Sequence, residues 1–357
     1  MKIGPEEIEQ IALGAAVLGT GGGGDPFIGK LLALDAVAKL GPVEMIEPDE
    51  VDDEGLVIPS AMMGAPTVIV EKIPNGEESV RTVRALEAKL ERRAVAIVPI
   101  EQGGLNSQIP IATSAKVGLP LADCDSMGRA FPELQMTSFH LHGIKATPMT
   151  LGDEKGNLLT LETIDNAWTE RLARAATVQM GGSALMAIYP MTGAQLKEAC
   201  VRGTVSLSMR IGQAIQGARR RGENPIEDVV ELMKSRVLFR GKVVDLLRRT
   251  TGGFSRGEAR FDGLDEYRGQ TLKVEFQNEN LVAVRDQETV ASVPDLISVL
   301  DSESGFPITT EALRYGNRAV VIGSPCNEVW RTKKGLETVG PRYFGYSVDY
   351  VPVEKRG

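Results

Sequence analysis

Two short segments each place two metal-ligating side chains two residues apart. Asp123 and Asp125 lie in PLADCDSMGRAF, and His140 and His142, the only histidines of the chain, lie in TSFHLHGI. In an extended strand, residues i and i+2 share a face, so each pair could present both side chains to one ion. A mixed carboxylate and imidazole site suits zinc or manganese. These four residues could therefore hold a divalent metal; the alternative is that Asp123 caps a turn and that the histidines pack or form hydrogen bonds in a strand.

A carboxylate also follows a predicted buried strand, in AVAIVPIEQGGLNSQIP. The carboxyl ends of strands are where α/β sheets bind ligands, and Glu101 stands at such an end as a candidate general base. Asp125 and His140 complete the candidate catalytic set, and Asn106 and Arg129 are candidates for binding the substrate. The competing interpretation of Glu101 is a solvated acid in a turn.

Four consecutive glycines, Gly21, Gly22, Gly23 and Gly24, occur in LGTGGGGDPFIGK. Phosphate-binding glycine loops follow a strand, whereas the pattern before this loop predicts a helix, so we expect no nucleotide cofactor. Asp25 and Pro26 are typical of the start of a second helix. The loop is therefore predicted to be a corner between helices, which either donates N–H groups to a substrate oxygen or serves only as a bend.

The composition excludes several classes of protein. A net charge of -8 and an aromatic content of 5% argue against a nucleic-acid partner. The sequence shows no apolar run long enough to cross a membrane and no recognisable leader, and its three cysteines are widely spaced, so we expect a cytoplasmic protein.

A chain of 357 residues predicts two domains, and the patterning changes near residue 165. Residues 1–165 alternate helical and strand patterns, with strands predicted over 67–73 and over the histidine segment 137–151. This indicates an α/β N-terminal domain that carries the glycine loop and the site. Residues 166–357 predict linking helices and then a β-rich domain, barrel-like or sandwich-like. Within it, the polar block 277–280 is either a turn or a set of donors reaching across the domain interface.

Several motifs together resemble the S-methyl thiohydantoin desulfurase family, which is associated with hydantoin-utilisation proteins. They include LGTGGGGDPFIGK, PIEQGGLNS, GLPLADCDSMGRAFPELQM, FHLHGI, FQNENLVA and VGPRYFGYSVDYVP. The resemblance implies an α/β domain followed by a β-rich domain, with the site in the cleft between them. The family name implies removal of a methylthio group from a five-membered ring.

These observations lead to a hydrolase-type hypothesis. Water would attack a C=N or C=O carbon of a cyclic amide or S-methyl thiohydantoin-like ring, with or without a metal, and the glycine loop would stabilise the oxyanion. The alternative is a non-catalytic partner or subunit of a hydantoinase- or oxoprolinase-type enzyme. We also expect a homo-oligomer.

Overall fold

The structure is a computed structural model that describes residues 1–64, 68, 72, 74–251 and 254–356. The strand predicted over 67–73 therefore lies largely outside the described residues. The helices are α1 (Pro5–Leu18), α2 (Pro26–Leu40), α3 (Glu77–Leu90), α4 (Ile109–Val117), α5 (Ser138–Leu141), α6 (Asn166–Gln179), α7 (Gly193–Ala199), α8 (Thr204–Arg221), α9 (Pro225–Leu232) and α10 (Lys333–Val339).

The strands belong to a mixed first sheet, a small ribbon and an antiparallel second sheet. Those of the first sheet are β1 (Lys2–Ile3), β2 (Val43–Ile46), β3 (Leu56–Gly64), β4 (Ala94–Pro99), β5 (Leu121–Ala122), β7 (Met149–Gly152), β8 (Leu158–Leu161), β9 (Ser183–Ala187) and β10 (Met191–Thr192). The ribbon pairs β6 (Cys124–Asp125) with β11 (Val201–Arg202). The second sheet contains β12 (Arg236–Thr251), β13 (Phe254–Gly263), β14 (Thr271–Gln277), β15 (Glu279–Arg285), β16 (Glu288–Ser292), β17 (Leu296–Asp301) and β18 (Arg318–Ser324).

The first sheet is built from both sides of the predicted boundary at residue 165. Its order is β1-β2-β5-β4-β3-β9-β7-β8, with β10 paired to β3. β2, β5, β4 and β3 run parallel, whereas β9 and β7 add antiparallel neighbours. The first linking helix, α6, ends at Gln179, and the residues from Ser183 onward form β9. The linking segment therefore also completes the first sheet.

Helix α1 carries the apolar spacing that the sequence suggests, and it buries Ile8, Ile11 and Leu18. It crosses α8 at very close range: a Cβ at Gly14 would overlap the backbone of Ser208. Glycine allows this close approach of the two helix backbones. The pair of helices fixes the glycine corner that follows α1.

The second sheet is antiparallel throughout and curled, with the order β16-β15-β14-β13-β12-β18-β17. The Asn280 side chain of β15 donates to the carbonyl of Ile297 on β17, which draws the far side of the curl together (2.8 Å). The prediction of an α/β domain followed by a β-rich domain is confirmed, and the β-rich domain is one curled antiparallel sheet.

The two sheets meet through hydrogen bonds as well as apolar packing. Asn280 N–H donates to the carbonyl of Thr20 (2.7 Å), and Thr310 N–H donates to that of Gly21 (2.8 Å). The Ser298 hydroxyl donates to the carbonyl of Val17 (2.8 Å). The end of α1 and the glycine corner are thus held directly against the second sheet.

Candidate active site

A narrow cleft of about 60 Å³ lies where the glycine corner, the end of β4 and the start of β15 converge. Its polar lining comes from both halves of the chain and includes Glu101, Asn106, Asn278 and Glu279 beside Gly23, with Glu133 and Arg174 also lining the cleft. Carboxyl groups, an amide and backbone donors at a cleft between structural units are typical of a small-molecule site. The cleft therefore brings two of the candidate residues, Glu101 and Asn106, together with the glycine loop.

Glu101 is held in this cleft by an amide clamp. Asn106 Nδ2 donates to Glu101 Oε1 (2.6 Å), and the same amide exchanges hydrogen bonds with the backbone of Met62. Because Met62 lies on β3 and Glu101 directly after β4, the clamp links two neighbouring parallel strands. Glu101 Oε2 is buried and has no hydrogen-bond partner within the described residues. Glu101 is thus a buried, oriented carboxyl rather than a solvated turn acid.

The second carboxyl of the cleft is Glu279, which sequence reasoning did not select. It begins β15 after Asn278, whose backbone is left-handed (φ 58°) and whose side chain accepts the N–H of Ser255 (2.8 Å). Glu279 is only 2% exposed, and its Oε2 has no hydrogen-bond partner among the described groups. The polar block 277–280 therefore contributes an acid to the cleft and, through Asn280, bonds to the first domain.

The environment raises the pKa of both carboxyls. Burial raises the pKa of Glu101 to about 8, against the opposing effect of the Asn106 hydrogen bond. Burial also raises the pKa of Glu279 well above its ordinary value, and the neighbouring Glu101 raises it further, whereas Arg129 and the Gly23 N–H lower it. Two neighbouring buried carboxyls whose pKa values are both raised are candidates for one base and one acid.

Arg129 is a fully buried cation beside this pair, and its guanidinium is fixed by oxygen atoms other than those of the two glutamates. Its hydrogen bonds run to the carbonyls of Ala130 (3.0 Å), Pro294 (3.0 Å), Asp295 (2.7 Å) and Asn280 (3.3 Å) and to the hydroxyl of Thr20 (2.8 Å). Burial lowers the pKa of Arg129 to about 10, so it stays protonated at neutral pH, and the charge of Glu279 opposes this shift. Arg129 thus joins the two domains and supplies a fixed positive charge.

The glycine corner supports the second carboxyl. Gly22 lies against the side chain of Glu279, and a Cβ there would overlap the carboxyl group. Gly23 has a left-handed backbone (φ 72°), and a Cβ at that position would strike the backbone of Gly103. Because Asp25 accepts the N–H of Phe27 (2.8 Å), α2 begins as the sequence predicts. The corner is a tight bend, and its inner surface contacts the candidate acid.

Replacing these two glycines is expected to separate activity from stability. In Gly22→Ala the new methyl group displaces the Glu279 carboxyl, so we expect turnover to fall at least about tenfold with little change in melting temperature. In Gly23→Ala the positive φ and the backbone overlap cost about 1–3 kcal/mol of unfolding free energy. Thermal denaturation and turnover measured on both variants check this. Gly217→Ala, on α8 and away from the cleft, is the control; equal losses of activity and stability in Gly22→Ala would make the corner only a bend.

The aspartate pair has well-defined backbone partners. Asp123 accepts the N–H of Ser206 at the start of α8 (2.9 Å). Asp125 accepts N–H groups from Gln102 (2.6 Å), Met127 (3.2 Å) and Gly128 (2.8 Å). Burial raises the pKa of Asp125 to about 7, and these donors oppose the shift. Asp125 thereby fixes the turn that carries Glu101. The turn-capping position suggested for Asp123 is taken by Asp125, and Asp123 instead bonds to the start of α8.

His140 lies on the short helix α5 and His142 directly after it, so the strand predicted over 137–151 is wrong at the histidines and forms only from Met149. Thr137 accepts the N–H of His140 (3.0 Å) and caps α5, which turns the chain before β7 begins at Met149. His140 Nδ1 lies 3.0 Å from the amide of Asn166, and His142 is exposed with Nδ1 2.9 Å from the carbonyl of Ser138. On one turn of helix, residues i and i+2 do not share a face.

These positions do not fit a metal site built from the four predicted ligands. Within residues 1–64, 68, 72, 74–251 and 254–356, no group of three or more His, Cys, Asp and Glu side chains is gathered closely enough to hold an ion. The two aspartates are bonded to backbone N–H groups, and the histidines lie elsewhere, in and directly after helix α5.

The raised pKa of Glu101 predicts how stability depends on pH. Between about pH 4.5 and about pH 8 the folded chain holds a proton on Glu101 that the unfolded chain has released. The free energy of unfolding therefore falls as the pH rises through this window, by up to about 1.4 kcal/mol per pH unit. Glu101→Gln removes this ionisation, so urea unfolding at several pH values is expected to give a shallower slope for the variant. Parallel slopes would contradict the raised pKa.

Comparison with known proteins agrees with this architecture. The S-Me-THD-like N-terminal domain model matches residues 6–163, and the C-terminal domain model matches residues 164–353. The chain belongs to the S-Me-THD-like family, the group of S-methyl thiohydantoin desulfurases.

A crystal structure of a protein from Chromobacterium violaceum shares the fold at a TM-score of 0.82 and 24% identity, over 99% of this chain and all of that one (100%). A search of curated proteins finds no match. In the described part of the chain, no helix combines the length and apolar character needed to cross a membrane.

Proposed function

We propose that this chain catalyses the attack of water on a ring carbon of an S-methyl thiohydantoin-like substrate, with Glu101 as general base and Glu279 as general acid. The observation that carries the proposal is the pair of buried carboxyls, each with one unpartnered oxygen, that line a single interdomain cleft. Membership of the S-Me-THD-like family supports the substrate class.

The proposed reaction starts with Glu101. Its free Oε2 accepts a proton from water while the water oxygen bonds to the ring C=N carbon. The proton passes to the ring nitrogen, which gives a tetrahedral carbon bearing hydroxyl and methylthio groups. The C–S bond then breaks, Glu279 protonates the departing sulfur, and the hydroxyl proton restores Glu279. The products are methanethiol and the corresponding hydantoin, so one water is consumed in each turnover.

The neighbouring residues position these two groups. Asn106 fixes the orientation of Glu101, and Arg129 places a positive charge near the cleft that offsets the negative charge developing on the substrate. The Gly23 N–H faces Glu279, so in this proposal the glycine loop acts on the acid instead of binding an oxyanion directly.

The direct test is methanethiol release by the isolated chain from an S-methyl thiohydantoin, with hydantoin formed in equal amount. Absence of thiol release near pH 8, with and without added zinc or manganese, would refute the proposal. Turnover that appears only after adding a hydantoinase- or oxoprolinase-type enzyme would instead support the partner role. Metal analysis of the same preparation tests the divalent-ion hypothesis independently.

A further inference from the structure

One wall of the cleft is formed by thioethers. Met63 on β3, Met186 on β9 and Met127 after β6 all line it, together with Phe131. These side chains are between 2% and 5% exposed and belong to one apolar cluster. The wall is continuous with the cleft that contains the two glutamates.

The register of β3 and β9 places small side chains opposite two of these methionines, so the wall can change its shape. β3 and β9 are antiparallel, with Met63 opposite Ala184 and Met186 opposite Ala61. Both methionines therefore lie on the same face of the sheet, and each is paired with the smallest side chain that has a Cβ. Methionine is unbranched and polarisable, and it fits its shape to whatever it contacts. The register therefore builds an adaptable apolar surface.

We infer that this wall, made by Met63, Met127 and Met186, binds the S-alkyl group of the substrate and selects rings that carry a small neutral substituent on sulfur. The inference rests on the proposed function. The sulfur is bonded directly to the carbon that water attacks. Its alkyl group must therefore lie close to Glu101 and Glu279, no farther away than the length of one side chain.

A charged substituent would find no suitable partner at this place. A carboxylate there would lose its hydration against the methionines and would meet the repulsion of the glutamate pair. Arg174, the cation that lines the cleft, already pairs with Glu170 and donates to the carbonyl of Pro132, and the donors of the buried Arg129 are bonded to carbonyls and a hydroxyl. The wall therefore accepts variation in size and rejects negative charge.

The test compares thiol release from S-methyl, S-ethyl and S-carboxymethyl derivatives of one thiohydantoin. For the wild-type chain we expect kcat/KM for the S-ethyl ring within about fivefold of the S-methyl ring, and a loss of at least about 100-fold for the S-carboxymethyl ring. Met186→Gln is expected to raise KM for the S-methyl ring about tenfold with kcat and the pH profile unchanged, and Met186→Leu to restore most of that loss.

Met149→Gln is the matched control, since Met149 is fully buried in the same apolar cluster but does not line the cleft. Equal turnover of the S-methyl and S-carboxymethyl rings would overturn the assignment of the wall, as would an equal rise in KM in the control variant. If Met186→Gln does not fold, the comparison of the three rings in the wild type decides alone. If none of the three rings releases a thiol, the proposed function is refuted, and the assignment of the methionine wall is refuted with it.

Discussion

Glu101→Gln is expected to lower kcat by about 10²–10⁴-fold while the fold is retained. The amide has the same shape as the carboxyl and can still bond to Asn106, but it cannot accept a proton from water at its free position. Turnover of S-methyl thiohydantoin, followed by methanethiol release, measures the effect, and circular dichroism checks the fold.

The pH profile distinguishes the two glutamates. Burial raises the pKa of Glu101 to about 8 and also raises that of Glu279. With Glu101 as the base and Glu279 as the acid, wild-type turnover should rise with pH as Glu101 loses its proton and fall as Glu279 loses its own. Glu101→Gln is expected to abolish the rising limb in the residual activity, and Glu279→Gln the falling limb.

Glu87→Gln is the matched control for these variants. Glu87 is also a buried glutamate, but its partners are Arg84, Arg93 and the N–H of Ala94, outside the cleft. This variant should keep its turnover and its pH profile. Glu101→Gln activity within about threefold of wild type would contradict the assignment of Glu101 as the base.

Arg129→Met is expected to cost about 3–5 kcal/mol of unfolding free energy. The change removes the donors that bridge Thr20 to the segment Pro294–Asp295, and it leaves buried carbonyls and the Glu279 carboxyl without their cation. Urea unfolding measures the loss. Arg129→Lys should recover only part of it, because an ammonium group cannot reach all of these acceptors.

A surface arginine provides the comparison for Arg129. Arg342 pairs with Asp349, and both side chains are largely exposed, so Arg342→Met should change stability by no more than about 1 kcal/mol. Adding Glu279→Gln to Arg129→Met should recover part of the loss, since it removes the unpaired acid. A loss below about 1 kcal/mol in Arg129→Met would show that its charge and its bonds are not needed for stability.

Sequence patterns predicted the structure correctly where it depends on residues that are close together in the chain. The spacing of Ile8, Ile11 and Leu18 predicted α1, and Asp25 with Pro26 predicted the start of α2. The position of Glu101 after β4 predicted a polar residue at a ligand-binding strand end. Each of these inferences uses residues within about one turn or one strand of each other, and the structure places them as expected.

Contacts between distant segments could not be predicted in the same way. Glu279 stood in the polar block 277–280, for which a turn and donors across the domain interface were both open. Its burial depends on the glycine corner packing from the other domain. The histidine segment resembled a strand by alternation, but the Thr137 cap favours one turn of helix there. Asp125 resembled a metal ligand, whereas the turns at Gln102 and Gly128 supply its N–H partners. The catalytic and metal roles suggested for Asp125 and His140 remain predictions.

Because groups from both halves of the chain form the cleft, the two halves must be docked together for the proposed reaction to occur. Glu101 and Asn106 come from the first sheet and Glu279 from the second, and the hydrogen bonds of Asn280 and Thr310 to the glycine corner hold the two in register. A preparation in which both halves are folded but poorly docked would look native by circular dichroism and would be inert. Active-site titration gives the fraction of active molecules. This fraction therefore reports how completely the two halves have assembled.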